Sequence, residues 1–198
     1  LYTLRSLLAF QPLFLLGIGQ VLQHFASHEW AKHQEASEGG EKRSPSRIAS
    51  VSSLAMLCHI VAGGVFFVVV GGGGWLFLSG KLPSLGGLWQ GPWIGACLLS
   101  LLLFLMTPGL IVLRGCGRIG KVKQLAFWQG VLHTLVLWLT LVLGGQLWMV
   151  ATGLATAVIA QALFLWGQRH FISGILSTKG GEDVSWKREI WPLQWRLA

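Results

Sequence analysis

Long uncharged segments of apolar residues alternate with short polar connections along most of this chain. A helix needs about 20 apolar residues to cross the hydrocarbon core of a bilayer. Most segments suit one such helix, and the longest, residues 124–168, is long enough for two that fold back at residues 144–146. The pattern predicts an all-α polytopic membrane protein. Its five predicted spans are residues 6–28, 49–79, 92–113, 124–144 and 147–168.

Composition supports a membrane environment and argues against a nucleic-acid partner. Charged residues make up 11% of the chain and mean hydropathy is +0.62, whereas soluble domains contain roughly 25% charged residues. The net charge of +8 comes from Lys and Arg in short connections between apolar segments, without the basic patch or stripe typical of nucleic-acid binding. We therefore expect the lipid bilayer, and no nucleic acid, to be a partner of this chain.

The basic residues also predict an orientation. The connections at residues 29–47, 114–123 and 169–190 hold most of the Lys and Arg, whereas the other two hold only Lys81 and no charge at all. Cytoplasmic loops carry the excess of Lys and Arg. The three basic connections are therefore predicted to face the cytoplasm.

The two ends of the sequence predict a fragment of a larger protein. Leu1 opens inside an apolar pattern, and residues 191–198 resemble the start of a sixth helix. We expect a bundle of five transmembrane helices plus the start of a sixth, with residues 1–190 forming one lobe of a larger assembly. Three cysteines, an odd count placed mostly in spans, predict no disulfide framework.

Two motifs resemble catalytic sites without meeting their geometric requirements. Residues 115–120 read G-x-G-x-x-G, but a dinucleotide site needs a strand before the glycines, and a membrane helix is predicted there. His28 and His33 flank a near-match to a zinc-protease helix, yet the second His must follow the first by four residues, where Lys32 stands. His24 and His28 have that spacing but lack an evident third ligand. We expect no metal, no cofactor and no enzymatic activity.

Polar residues inside the spans are the candidate functional residues. Gln20, Gln23 and His24 share one face of the first predicted span, and a helical projection places Arg5 near the same line. Polar groups are costly in lipid, so such faces are expected to turn toward other helices or a water-filled cavity, and the sequence leaves both alternatives open. The candidates for a substrate path are Arg5, Gln20, Gln23, His24, His59, Gln129 and His133.

Four glycines at residues 71–74 interrupt the second predicted span. Glycine disfavours a rigid helix. We expect a bend or a frayed helix end at this position.

Short motifs give the chain a resemblance to a known family. Residues 15–19 read Leu-Leu-Gly-Ile-Gly, and residues 107–110 read Thr-Pro-Gly-Leu before the turn Arg-Gly-Cys-Gly-Arg at 114–118. With the order of spans and loops, this resembles the polysaccharide-export branch of the multidrug/oligosaccharidyl-lipid/polysaccharide flippase superfamily. The resemblance covers nearly all of this chain, as helices two to six and the start of helix seven, but only about half of a twelve-helix member.

The resemblance implies a multi-pass transporter of the bacterial inner membrane that moves a lipid-linked oligosaccharide between two rocking lobes. It implies that the first span borders the central cavity and that Arg5 attracts the pyrophosphate of the lipid carrier. A multidrug or cation antiporter of the same superfamily is one alternative, although no Asp or Glu lies inside a predicted span. A non-transporting membrane assembly protein is the other.

Overall fold

The structure is a computed structural model that describes residues 6–15, 18–38, 46–81 and 87–176. Within these ranges the regular elements are all helical, and none is a strand. Two 3₁₀ segments (Gln11–Leu15 and Gln146–Trp148) and one π-helical turn (Phe67–Gly72) accompany the α-helices. The α-helices are α1 (Ile18–Glu38), α2 (Ser46–Phe66), α3 (Gly73–Lys81), α4 (Gln90–Gly115), α5 (Ile119–Val142), α6 (Met149–Gly167) and α7 (Arg169–Leu176).

Four helical stretches in the described ranges are long and apolar enough to cross a membrane. They are Arg47–Lys81, Gln90–Gly115, Ile119–Val142 and Gln146–Gly167. The first of them joins α2, the π-helical turn and α3 into a single helix of 35 residues. Their length and composition indicate a helical membrane protein.

The first predicted span, residues 6–28, is not among these four stretches. Residues 6–8 are helical, residues 9–10 form a turn, and a 3₁₀ helix follows at Gln11–Leu15. Pro12 has no backbone N–H to continue an α-helical ladder. Helix α1 then extends to Glu38, ten residues beyond the predicted end of the span. Residues 29–38 are rich in Ala, Glu, Gln and Lys, which are strong helix formers.

Helix α4 lies at the centre of the bundle. It packs against α1 and α2 on one side and against α6 on the other, while α5 packs mainly against α6. Half of the most apolar stretch of α4 is buried, compared with 6% for α5. The exposed apolar face of α5 is thus available to lipid.

An aromatic cluster joins the central helices to the segment at residues 6–15. The Phe66 and Phe104 rings are 5.3 Å apart between centroids, and Phe14 meets Phe66 edge-on at 5.5 Å. Phe66 and Phe104 are fully buried, and Leu8 belongs to the same cluster. The segment at residues 6–15 is therefore fixed against helices that are able to span the bilayer.

The four glycines at residues 71–74 lie where the π-helical turn passes into α3. The Trp93 indole N–H of α4 donates a hydrogen bond to the Gly71 carbonyl oxygen at 3.1 Å. The indole ring also occupies the space that a Cβ at Gly74 would need. A π-helical turn disturbs the regular backbone ladder, and here the neighbouring helix supplies a donor for one of its carbonyl groups.

Gly74→Ala is expected to destabilise the protein by about 1–3 kcal/mol, because the added methyl group overlaps the buried Trp93 ring. Gly73→Ala is the matched control, since a Cβ at that position meets nothing within 4 Å. The measurement is the free energy of unfolding of each variant in detergent micelles. Equal stability of the two variants would show that the contact between Trp93 and Gly74 does not constrain the helix.

Candidate functional site

The interrupted segment at residues 6–15 lies between two cavities. In hydrocarbon every backbone polar group needs an internal partner, so irregular backbone at membrane depth occurs only where it is buried in protein or lines a cavity. One side of this segment faces the π-helical turn and α3, and the other faces α4, α5 and α6. The break in the helix therefore lets this segment line both cavities.

The first cavity, of about 530 Å³, is almost wholly apolar. Phe10, Leu13 and Phe14 line it from the interrupted segment, and Val69, Val70 and Phe77 line it from the opposite wall. Gly73 and Gly74 also border it. We name it the apolar groove. Its chemistry suits a hydrocarbon chain.

The second cavity, of about 310 Å³, combines apolar walls with three polar side chains. Gln11 comes from the interrupted segment, Ser100 from α4 and His133 from α5. The rest of the wall is largely aliphatic, with Leu8, Leu137 and Leu154 among its residues. We name it the polar cavity. Ligand sites typically combine apolar walls with a few convergent polar groups.

Ser100 is the most unusual member of the polar cavity. Its side chain is fully buried, and its hydroxyl has no hydrogen-bond partner among the described residues. A buried hydroxyl without a partner costs free energy. Its position in the wall of the polar cavity puts the hydroxyl beside the space that a ligand would fill, and the oxygen itself is fully buried.

His133 is held by a backbone contact from the neighbouring helix. Its Nδ1 lies 3.2 Å from the Gly153 carbonyl oxygen on α6, so the Nδ1–H tautomer donates to that oxygen. In that tautomer Nε2 is an acceptor. The absence of a side chain at Gly153 is required, because a Cβ there would overlap the imidazole.

The structure separates the other sequence-predicted residues from this cavity. Gln20 and His24 are exposed on α1, and Gln23 is half-buried on the same helix. None of the three lines the polar cavity or the apolar groove. Arg5 lies outside the described residues. Gln129 is half-buried on α5, one turn before His133.

His59 is fully buried in α2 and bonds within its own helix. Its Nδ1 lies 2.8 Å from the Ala55 carbonyl oxygen, and its Nε2 has no partner among the described residues. The ring does not line either cavity. Of the six sequence candidates that the structure describes, His133 is the one that lines the polar cavity.

Gln11 and Ser100 were missed by reasoning from the sequence. Ser100 is the lone hydroxyl within an apolar run from Ala96 to Met106, and Gln11 stands beside Pro12 in another apolar segment. A search for isolated polar residues in apolar runs, without the requirement of a helical stripe, would have selected both. Helical periodicity does not group residues from three different elements.

The acidic residues of the described helices lie away from both cavities. Glu29 of α1 is 7% exposed, and its carboxylate lies 3.1 Å from Lys32 Nζ and 3.9 Å from the Arg47 guanidinium. No Asp or Glu occurs between Glu41 and Glu182 in the sequence. The described residues that line the polar cavity thus include hydrogen-bonding groups but no carboxylate.

The G-x-G-x-x-G segment forms a turn between two helices. Helix α4 ends at Gly115, the Arg118 N–H bonds the Leu113 carbonyl oxygen at 2.9 Å, and Gly117 has a φ of 76°. Burial raises the pKa of the Cys116 thiol to about 11, although the charge of Arg118 acts in the opposite direction. The thiol is protonated at neutral pH and is a poor nucleophile.

No group of three or more His, Cys, Asp and Glu residues with the geometry of a metal site occurs in the described part of the chain. Comparisons with protein-family models, curated proteins and solved structures find no match. The fold itself defines the class of the protein, which is a helical membrane protein with a polar cavity beside a broken helix.

Ser100→Ala is expected to leave the free energy of unfolding unchanged or to raise it by up to about 1–3 kcal/mol, because it removes a buried hydroxyl without a partner. Ser27→Ala is the control, since the Ser27 hydroxyl donates to the Gln23 carbonyl oxygen at 2.9 Å and its loss should cost up to about 1 kcal/mol. Unfolding in detergent micelles measures both. Destabilisation by Ser100→Ala of more than about 1 kcal/mol would show that the hydroxyl is structural.

Proposed function

We propose that this chain forms part of a flippase that moves a lipid-linked oligosaccharide across the bacterial inner membrane. The observation that carries the proposal is the interrupted segment at residues 6–15, which has an apolar groove on one side and a polar cavity on the other. An amphipathic substrate needs both environments close together. Broken helices that line a binding site are a recurring feature of transporters.

The apolar groove is the proposed site of the lipid chain. Its walls expose Phe, Leu and Val side chains with few polar atoms, so burial of methylene groups there is favourable by about 0.8 kcal/mol each. Its position against the π-helical turn places it beside the longest apolar helix, Arg47–Lys81.

The polar cavity is the proposed site of the sugar nearest the lipid. Gln11, Ser100 and His133 supply hydrogen-bonding groups in its wall, which match the hydroxyl groups of a sugar. A volume of about 310 Å³ lies at the small end of ligand pockets, which span about 300–1,000 Å³. It would therefore hold only part of an oligosaccharide.

The pyrophosphate of the carrier is assigned to Arg5, which precedes the interrupted segment by one residue in the sequence. Arginine binds phosphate through paired, charge-assisted hydrogen bonds. Gln20 and His24 lie on the exposed face of α1 and line neither cavity, so they are assigned to a part of the proposed path outside the two cavities. No described residue that lines either cavity is a carboxylate, which disfavours the alternative of a cation antiporter that exchanges its substrate for a proton or Na⁺.

Ala9→Trp tests this assignment, because Ala9 lines the polar cavity and an indole there would fill it. Ala126→Trp is the matched control, since Ala126 is exposed on α5 and borders a different surface groove. Full-length transporter in proteoliposomes should move a fluorescent lipid-linked oligosaccharide between leaflets. We expect Ala9→Trp to slow this movement at least about tenfold, the equivalent of about 1.4 kcal/mol, and Ala126→Trp to leave it unchanged.

Two outcomes would contradict the proposal. The first is a wild-type rate for Ala9→Trp. The second is the absence of flipping by the full-length wild-type protein with any lipid-linked sugar, which would favour a membrane assembly role.

A further inference from the structure

Arg118 is held rigidly at the junction of three helices. It is the N-terminal cap residue of α5, and its guanidinium lies over the Phe171 ring of α7 at 3.7 Å from the centroid. It also donates a hydrogen bond to the side-chain oxygen of Gln168, between α6 and α7. An Arg fixed by stacking and by a hydrogen bond loses little further entropy when it binds an anion.

Two more cations lie one helical turn after Arg118 or next to its hydrogen-bond partner Gln168. Lys121 is exposed in the first turn of α5, three residues later and hence on the same side of the helix. Arg169 follows Gln168 directly, is exposed, and lies over the Trp166 ring at 4.4 Å from its centroid. We name Arg118, Lys121 and Arg169 the basic corner.

The cations of the basic corner lack acidic partners among the residues that the structure describes. The ion pairs within the described ranges are made by Glu29 with Lys32 and Arg47, and none involves the corner. The sequence between residues 42 and 181 contains no Asp or Glu. The N-terminus of α5 adds its own positive potential. The corner therefore carries a concentrated positive charge that the described helices do not neutralise.

Apolar side chains beside the basic corner indicate what supplies the anion. Trp166 is 69% exposed and Ile119 is 47% exposed, and the outer face of α5 continues with exposed Phe127 and Trp128. Exposed Trp side chains at a helix end are typical of the headgroup level of a bilayer. A free phosphate ion makes no favourable contact with such an apolar surface. A phospholipid can place its phosphate at the cations and its acyl chains along the helix.

We propose that the basic corner binds the phosphate of an anionic phospholipid, with the acyl chains against the outer face of α5. The site anchors the α4–α5 turn and α7 to one leaflet. It is separate from the polar cavity and does not rest on the transport function, because it uses different residues and a lipid of the surrounding bilayer.

The test measures the affinity of the purified full-length protein in neutral detergent for phosphatidylglycerol and for phosphatidylcholine by native mass spectrometry. The wild-type protein should prefer phosphatidylglycerol. The double variant Lys121→Gln, Arg169→Gln removes two exposed charges without touching Arg118. Each charge removed should weaken phosphatidylglycerol binding roughly fivefold, the equivalent of about 1 kcal/mol, or roughly 25-fold for the pair.

Lys81→Gln is the control. It removes one exposed charge at the C-terminal end of the Arg47–Lys81 helix, whereas the basic corner lies at the α4–α5 turn, so the affinity should stay unchanged. Equal binding of the two lipids, or an unchanged affinity of the double variant, would overturn the proposal. Displacement of phosphatidylglycerol by inorganic phosphate at similar concentration would assign the corner to a soluble anion. Displacement by much lower concentrations of a polyprenyl pyrophosphate would assign it to the transported lipid.

Discussion

The requirement that backbone polar groups be satisfied inside the hydrocarbon region governs this structure. Most of the described chain meets it with α-helices. The two departures within the bundle, residues 9–15 and the π-helical turn Phe67–Gly72, face each other across the apolar groove. Their irregular backbone is tolerated because it is packed against other helices. The Trp93 indole N–H gives one carbonyl oxygen of this irregular backbone, that of Gly71, a hydrogen-bond partner. On the other side of the apolar groove, the edge-on contact with Phe66 fixes Phe14 in place.

The apolar runs of the sequence predicted the helical membrane fold and located four stretches that are able to span a bilayer. They could not predict the break in the first segment, because hydropathy reports composition and does not report whether the backbone stays helical. Residues 71–74 were expected to bend or fray the second span. The structure instead places a π-helical turn there that leads directly into α3. The Trp93 ring fills the space that a Cβ at Gly74 would take.

The candidate site was predicted only in part. Helical periodicity grouped Gln20, Gln23 and His24 on one face of α1, but a single sequence does not show which neighbour that face meets. The buried residues of α1 are Val21, Leu22, Ala26 and Glu29. His133 was selected for its polarity. Its place beside Ser100 and Gln11 depends on tertiary contacts among α4, α5 and the interrupted segment, which no spacing along one helix encodes.

The most direct test of a hydrated cavity within the bundle is the reactivity of single cysteines with a water-soluble maleimide. The background protein lacks Cys58, Cys97 and Cys116, and single cysteines replace Gln11, His133, Leu135 or Trp138 in turn. His133 lines the polar cavity, whereas Leu135 and Trp138 lie on the exposed apolar part of the same helix. The expected result is modification at positions 11 and 133 and protection at 135 and 138. Equal protection at all four positions in membranes would contradict a water-filled cavity and with it the proposed substrate site.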